Sequence, residues 1–258
     1  MYIACNYSKE LKELIDTGEV NVDYVKIGFF DDYEENIADV KSIGPILIHG
    51  LGLDERTSKE LSRKIEWKEL NNKLAEFNLP HLGVHFAGLE QDFQVKICRN
   101  DYINKAIKEC KKWANNLEVP FLIENTLYSP HYAKKGVIEY SSEPEVISEV
   151  CEKAEIGMIL DTAHAKVSAW SRNENIYDYL QKLPLDRVKE IHVVGNLFCD
   201  KTGLRDKHVE MENEDYEILE WLLSRTSPHV VTLEYGRNDK IALKRQLNKI
   251  SHIINGDT

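Results

Sequence analysis

Short apolar runs recur along the chain, and segments with helical spacing of their apolar residues separate them. The runs are apolar at nearly every position, as in strands of a parallel sheet that are buried on both faces. They lie at Tyr2–Cys5, Val22–Gly28, Pro45–His49, Leu82–His85, Phe121–Glu124, Ile156–Leu160, Val188–Val194 and Val230–Glu234. The segments between them predict helices, among them a long amphipathic helix over about Thr57–Phe77, whereas Gly195–Asn213 is polar and predicts a loop.

Strand and helix alternate eight times within 258 residues, which is the size of a TIM barrel. A doubly wound open sheet is the alternative, but that fold usually has fewer strands and a glycine-rich first turn. The first turn here, Asn6-Tyr7-Ser8, contains no glycine. Since no linker-like segment interrupts the pattern, the sequence predicts an α/β protein, a single (β/α)8 TIM barrel, with residues 1–258 as one domain.

Histidines and carboxylates fall at or just beyond the carboxyl ends of the predicted strands. The active site of a TIM barrel lies on this face, so these side chains are expected to converge there. They are His49, His85, Glu124, Asp161, His164, His192, Asp206, His208 and Glu234. The other histidines do not follow strands in this way and are expected at the surface; they are His81, His131, His229 and His252.

The segment Asp161-Thr-Ala-His164 can be interpreted in two ways. A carboxylate and an imidazole three residues apart, just past a buried strand, are ligands that divalent cations accept. The alternative is an ordinary helix start with Asp161 as the N-cap. The metal interpretation is favoured because several other apolar runs end in similar residues.

The charge of the converging set indicates more than one metal ion. Its four carboxylates would repel one another strongly without cations, and one divalent ion would leave excess negative charge. Nine ligands also exceed the four to six positions of one transition ion. A carboxylate such as Glu124 or Glu234 can bridge two ions, and the many imidazoles favour Fe, Zn or Mn over Mg or Ca.

Composition limits the partners and the compartment. The net charge of −11 argues against a broad nucleic-acid surface, which needs clustered lysine and arginine. The five cysteines are odd in number and form no CxxC pair, which is typical of a reducing compartment. No apolar run approaches a membrane span, and the first residues do not resemble a signal peptide, so a cytoplasmic protein is expected.

The order of these residues resembles the xylose-isomerase-like TIM barrels, and all nine candidate ligands match the trinuclear metal pattern of endonuclease IV. The surrounding sequence is more similar to the multinuclear non-heme iron-dependent oxidases. Ile48–Leu53 resembles their His-Gly strand end, and Glu124-Asn125 matches their Glu-Asn pair. Their longest shared block has counterparts at Leu160-Asp161, Val167–Ala169, Tyr179-Leu180, Leu183–Val188, Ile191-His192 and Gly195.

The resemblance to the oxidases implies two or three iron ions, with Zn or Mn as alternatives, and the use of dioxygen. It also implies a substrate that is a ribosomal peptide or a small thiol, often brought by a partner protein. The chain departs from the family at His164, where Asn is common, and at Asn196, where His is frequent. Asn125, Asn196 and Lys207 are candidates for contacts to substrate or to the ligands.

Two other activities remain open from the sequence. One is hydrolysis of a phosphodiester in abasic DNA through a metal-bound hydroxide, which the complete ligand set favours and the net charge opposes. The other is sugar or sugar-phosphate isomerisation or epimerisation. In that reaction Glu124 and Glu234 would move a proton from opposite faces of the substrate.

Overall fold

Eight parallel strands form the barrel in the computed structural model, which describes residues 1–28, 33–50, 66–93 and 96–256. The first seven strands in chain order are β1 (Tyr2–Asn6), β2 (Tyr24–Ile27), β3 (Ile46–Ile48), β4 (Leu82–Phe86), β5 (Phe121–Asn125), β6 (Gly157–Asp161) and β7 (Val188–Val193). An antiparallel hairpin of β8 (Gly195–Cys199) and β9 (Gly203–Val209) follows, and β10 (Val230–Leu233) is the last barrel strand. The order around the sheet is β3-β2-β1-β10-β7-β6-β5-β4.

A close contact between the first and last strands of this order closes the barrel. His49, just after β3, forms a parallel bridge with Gly83 of β4, and the Gly50 amide donates to the Gly83 carbonyl at 3.0 Å. A side chain at Gly83 would not fit, since its Cβ would lie 2.1 Å from Cδ1 of Ile159 across the barrel. The predicted TIM barrel is therefore confirmed.

Helices pack outside the strands. They are α1 (Lys9–Asp16), α2 (Tyr33–Ile43), α3 (Trp67–Glu76), α4 (Arg99–Asn116), α5 (Pro130–Ala133), α6 (Pro144–Ala154), α7 (Thr162–Ser171), α8 (Ile176–Gln181), α9 (Asn213–Leu223) and α10 (Lys240–Asn255). Of the long helix predicted over Thr57–Phe77, the part described is α3, and residues 51–65 lie outside the described residues. No helix in the described ranges is long and apolar enough to cross a membrane.

The main apolar core lies between the strands and this outer layer of helices. Trp113 of α4 is fully buried there, between Trp67 of α3 and Phe121 of β5, with ring centroids 5.2 and 5.4 Å away. Burying each such side chain contributes on the order of 2–3 kcal/mol to stability. Because the helices bury the side chains on the outward faces of the strands, inward-facing positions of the barrel can hold polar residues.

The hairpin corrects the sequence analysis, which predicted a polar loop over Gly195–Asn213. Gly203 supplies the turn with φ of +75°, and a Cβ there would lie 2.1 Å from the Trp170 ring. Leu197 of β8 pairs with Arg205 of β9. The loop prediction is wrong because polar residues dominate the composition of β9 and hide its strand pattern. The hairpin places Asp206 and His208 beside the barrel.

Candidate metal centre

The structure brings the nine candidate ligands together at the carboxyl ends of the barrel strands. Seven of them form three overlapping triads in which one potential ligand atom from each residue lies within 4.8 Å of the others. The triads are His49, Glu124 and His192; His85, Glu124 and His164; and Asp161, His192 and Glu234. Glu124 and His192 each belong to two triads.

Glu124, at the end of β5, lies between the first two triads. Its Oε2 is 2.9 Å from Nε2 of His49. Its Oε1 is 3.3 Å from Nδ1 of His164 and 3.5 Å from Nε2 of His85 and Nδ1 of His192. Oε2 therefore faces His49 and Oε1 faces the other three imidazoles, so the two oxygens could bind different ions.

The two interpretations of Asp161, as a helix cap and as a candidate ligand, are compatible in the structure. Its Oδ1 accepts a hydrogen bond from the His164 amide at 2.6 Å and caps helix α7. Its Oδ2 lies 3.9 Å from Nδ1 of His164 and from Nδ1 of His192. The helix start thus fixes one carboxylate oxygen by a backbone bond and leaves the other directed towards the imidazoles.

Asp206 and His208 reach the centre from the hairpin. Asp206 Oδ2 is 3.2 Å from Nε2 of His208 and 3.5 Å from Nε2 of His164. His208 has a positive φ of 48°, an uncommon conformation for a residue with a side chain. These two residues belong to none of the three triads and lie beside the triad that contains His164.

Many buried polar atoms of the centre make no hydrogen bond of good alignment within the described residues, although His49 Nε2 and Glu124 Oε2 are only 2.9 Å apart. They are both ring nitrogens of His49, both oxygens of Glu124, Nδ1 of His192 and Oδ1 of Asp206. Leaving one buried polar atom unsatisfied costs about 1–3 kcal/mol, and native proteins contain few such atoms. Their concentration in a set of five imidazoles and four carboxylates fits a site for metal cations.

Imidazolium–carboxylate attraction dominates the electrostatics of the metal-free centre. Burial opposes ionisation of Glu124, but the charges of His85, His192 and His49 outweigh it and hold its pKa well below the usual range. Burial also opposes the charge of His192, yet the carboxylates, Glu234 first, raise its pKa to about 10. Burial raises the pKa of Asp161 to about 6. Protons on the imidazoles therefore compensate the carboxylates until a cation replaces them.

A second polar layer, which sequence analysis missed, lies beneath the triads. Its members are Lys26 of β2, Glu190 of β7, Thr232 of β10 and His81, which precedes β4. Lys26 Nζ donates to Glu190 Oε1 at 3.0 Å, and His81 Nε2 is 2.6 Å from Glu190 Oε2. Thr232 also donates to Glu190, and Lys26 contacts Nε2 of His192. We call this group the lower layer.

The lower layer corrects one sequence expectation. His81 was predicted at the surface but is only 3% exposed, because it points into the barrel towards Glu190. The alternation of side chains along a strand could have predicted this layer. Glu190 is two residues before His192 and therefore lies on the same inward face. Lys26 and Glu190 carry opposite charges, so the pair adds little net charge to the four carboxylates of the ligand set, although Lys26 also lies 3.7 Å from Glu234.

The three residues predicted to contact substrate or ligands have different surroundings. Asn125 is fully buried, donates to the Asp161 carbonyl at 2.9 Å and accepts from the Asp161 amide at 2.8 Å. Asn196 donates weakly to the Ala163 carbonyl at 3.3 Å. Lys207 is exposed and does not line the cavity at the centre. Asn125 thus fixes a ligand-bearing strand end, and Lys207 faces outwards.

A cavity of about 440 Å³ opens above the centre. Its walls include His49, His85, His164, His208 and Glu234. On the other side it is lined by residues of β1, β2 and the segments that follow them. The cavity is large enough for an amino-acid side chain and brings such a group next to the converging ligands.

Comparison with known proteins identifies the family of this chain. Over residues 8–255 the chain matches the family described as the RiPP precursor modification enzyme MbnB/TglH/ChrH, in which RiPP denotes a ribosomally synthesised and post-translationally modified peptide. The chain belongs to this family. Its members are enzymes that modify peptide precursors, as the family description states.

Individual relatives of this MbnB/TglH/ChrH family member are distant. A UPF0276 protein of Caulobacter vibrioides is 31% identical over 80 residues, which are 31% of this chain and 27% of that protein. A UPF0276 protein of Bordetella pertussis is 23% identical over 82% of this chain and 79% of its own length. The chain thus spans about a quarter of the Caulobacter relative.

Solved structures share the barrel fold of this chain. A xylose isomerase domain protein from Alicyclobacillus acidocaldarius superposes with a TM-score of 0.63 at 14% identity, covering 99% of this chain and 98% of its own. At this identity the likeness shows the fold alone. The metal identity and the reaction therefore have to be argued from the site.

Proposed function

We propose that this chain is an iron- and dioxygen-dependent oxidase that modifies a cysteine or another residue of a ribosomally made peptide. The observation that carries the proposal is that Glu124 belongs to two triads and directs its two oxygens at different imidazoles. Shared ligands place candidate ion positions side by side, as a multinuclear centre requires. Membership in a family of peptide-modifying enzymes supports a peptide as the substrate.

The geometry suggests how the ligands would divide between two ions. His192 presents only Nδ1 to the triads, because its Nε2 contacts Lys26 and lies 3.1 Å from Glu190. One nitrogen can hold one ion, so His192 serves either the triad with His49 or the triad with Glu234. His85, His164 and Glu124 would hold the neighbouring ion.

Asp206 and His208 would complete the coordination of the ion held by His85, His164 and Glu124, or would contribute to a third ion. Asp206 lies 3.5 Å from His164. Iron, when bound here, supplies one-electron redox chemistry towards dioxygen and a Lewis-acidic position for a thiolate. Zinc and manganese fit the same donor types, and zinc offers no redox chemistry.

The protein's own side chains orient the substrate and hold protons. Glu234 is 8% exposed and lines the cavity, so its carboxylate can accept a proton from an entering substrate. Lys26 Nζ, 3.7 Å from Glu234 Oε1, keeps this carboxylate ionised together with His192. Asn125 holds the Asp161 backbone and thereby the direction of that ligand.

The test is anaerobic reconstitution with ferrous iron, followed by exposure to oxygen with the peptide encoded beside this gene. A mass change in the peptide, oxygen consumption and dependence on iron are expected. A partner protein from the same gene cluster is added in a parallel reaction, since presentation of the peptide is part of the proposal. Zinc-loaded protein is the matched control and should leave the peptide unmodified, because zinc has no redox chemistry.

The opposite result would identify another activity. Zinc- or manganese-loaded protein is incubated with a duplex containing an abasic site and with a panel of sugars and sugar phosphates. Cleavage or interconversion by these forms, together with no change in any peptide under iron and oxygen, would overturn the oxidase proposal.

A further inference from the structure

A positively charged surface lies on the outer side of the hairpin, next to the metal centre. We call it the hairpin platform; its members are Leu197, Arg205 and Lys207 of the hairpin and Tyr132, Lys134 and Lys135 at helix α5. Arg205 and Lys135 lie over the Tyr132 ring, 5.1 and 5.6 Å from its centroid. The ring thus joins the hairpin to the end of α5.

The four cations of the hairpin platform lie close enough together to affect the same histidine. Next to this ring is His131, whose pKa is lowered by burial and then by the charges of Arg205, Lys135, Lys134 and Lys207. Within the described part of the chain, none of the four forms an ion pair with a carboxylate, unlike Arg245 with Glu210 or Lys166 with Asp215. Their positive charge is therefore available to an anion from solution.

This local charge contrasts with the net charge of the chain, which is −11. Lys134, Lys135 and Lys207 are exposed and Arg205 is half-buried, so these like charges repel one another, and an acidic ligand relieves that repulsion. An anionic partner would be repelled by most of the surface and attracted here, within a Debye length of about 8–10 Å. Charge complementarity therefore favours a partner segment rich in Asp and Glu.

An exposed apolar residue on the same face indicates that the partner also carries an apolar side chain. Leu197 is 48% exposed and pairs with Arg205 across the ladder, so the two side chains lie on one face of the hairpin. The hairpin pairs with no further strand of the described residues, and a free strand edge can accept an extended peptide. A nucleic-acid partner is less favoured, since nucleic-acid-binding domains are typically basic, with a pI above about 9, whereas the pI of this chain is about 5.4.

We propose that the hairpin platform docks an acidic segment of the peptide substrate, with an apolar side chain seated on Leu197. This inference rests on the proposed function, since it assumes a peptide substrate. Asp206 and His208 lie on the same hairpin as the platform and belong to the converging ligands. A segment bound on the platform is thus held beside the metal centre, and its neighbouring residues are brought to the cavity.

The test measures binding without turnover. Fluorescence anisotropy follows a labelled peptide of alternating Glu and Leu with iron-loaded protein under anaerobic conditions. A Gln-Leu peptide and a single-stranded oligothymidylate are the comparison probes. The Glu-Leu peptide should bind most tightly, and its affinity should fall as salt is added because exposed charges are screened.

Charge reversal locates the binding surface. Lys134→Glu with Lys135→Glu should weaken binding of the Glu-Leu peptide by about tenfold or more, because attraction becomes repulsion. Lys108→Glu with Lys111→Glu is the matched control, since these exposed lysines of α4 receive the same change in charge elsewhere. That control should change affinity by less than about twofold. Melting temperature and iron content of both double variants verify that they are folded and loaded.

Three results would overturn the inference: unchanged affinity after reversal at 134 and 135, an equal loss in the control variant, or tighter binding of oligothymidylate than of the Glu-Leu peptide. Oxygen consumption is recorded separately on the same preparations. Iron-dependent peptide oxidation without platform binding defeats this inference alone. Platform binding without any iron-dependent oxidation defeats the proposed function and leaves a peptide-binding surface.

Discussion

Two polar layers lie one above the other inside the same barrel, and they differ in how well their atoms are bonded. Glu190 in the lower layer and Glu124 in the candidate metal centre are each 1% exposed. Glu190 interacts with Lys26, His81 and Thr232. The oxygens of Glu124 lie 2.9–3.5 Å from four imidazole nitrogens, but none of these contacts among the described residues has the alignment of a hydrogen bond. Alignment of the hydrogen bonds, rather than burial, therefore distinguishes Glu190 from Glu124.

Glu190→Gln should have the largest effect on the difference between the two layers. The change leaves Lys26 buried with much of its charge uncompensated, so the metal-free protein should lose about 3–5 kcal/mol of unfolding free energy. Urea unfolding of the metal-free protein measures this loss. The double variant Lys26→Met with Glu190→Leu should recover part of it, because no buried charge is left uncompensated, although His81 and Thr232 still lose their partner. Equal destabilisation of the single and double variants would show that the pair is not the stabilising feature.

Glu124→Gln tests the other layer. An amide cannot bridge two cations as a carboxylate does, so iron affinity should fall by more than the roughly 100-fold seen for partners outside the ligand set. Iron content after gel filtration and oxidation of the peptide both report this loss. Glu118→Gln, an exposed residue just before β5, is the control and should keep full iron content. Undiminished iron binding by Glu124→Gln would remove the shared ligand from the account.

Asn125→Ala tests the hydrogen bonds that hold the end of the strand carrying Asp161. The variant loses two buried hydrogen bonds to the Asp161 backbone, so it should be less stable by about 2 kcal/mol. Iron affinity should fall about 10–100-fold, since the residue orients a ligand. Asn196→Ala should cost less than about 1 kcal/mol, because its hydrogen bonds are long, at 3.3 and 3.4 Å. Thermal unfolding and iron titration of both variants separate the two cases.

Proton release should accompany metal binding. Burial opposes the charge of His208, but its contact with Asp206 raises its pKa to about 9, and the pKa of His192 is raised to about 10. These imidazoles are protonated in the metal-free protein at neutral pH and must be neutral to bind metal. Affinity should therefore rise with pH, by about tenfold per pH unit for each released proton. Calorimetry in two buffers of different ionisation enthalpy counts the protons, and none released would contradict this electrostatic picture.

The sequence predicted the barrel and the convergence of the ligand set because both depend on short-range patterns. Apolar runs indicate strands, and a polar residue at the end of a parallel strand has to lie on the same barrel face as its neighbours. Asp161 shows a limit of that reasoning, since its roles as helix cap and candidate ligand appeared as alternatives and the structure accommodates both.

The lower layer could not be predicted in the same way. Lys26 and Glu190 are 164 positions apart and meet only when the barrel closes. Lys26 is the one charged residue of β2, and Glu190 lies between Lys189 and His192 on β7, so neither indicates a partner on a distant strand. The hairpin was missed for a related reason, since its strands pair with each other outside the barrel and lack the apolar pattern of a core strand.

The central claim is that the overlapping triads hold a multinuclear centre, and the number of ions per chain tests it most directly. Anaerobically reconstituted protein is freed of loose metal and analysed for iron by mass spectrometry, with Mössbauer spectra to detect coupling between ions. Two or three irons per chain are expected, since Glu124 belongs to two triads and Asp206 and His208 offer further ligands beside them. A ratio of one or less under saturating iron, zinc or manganese would contradict the account.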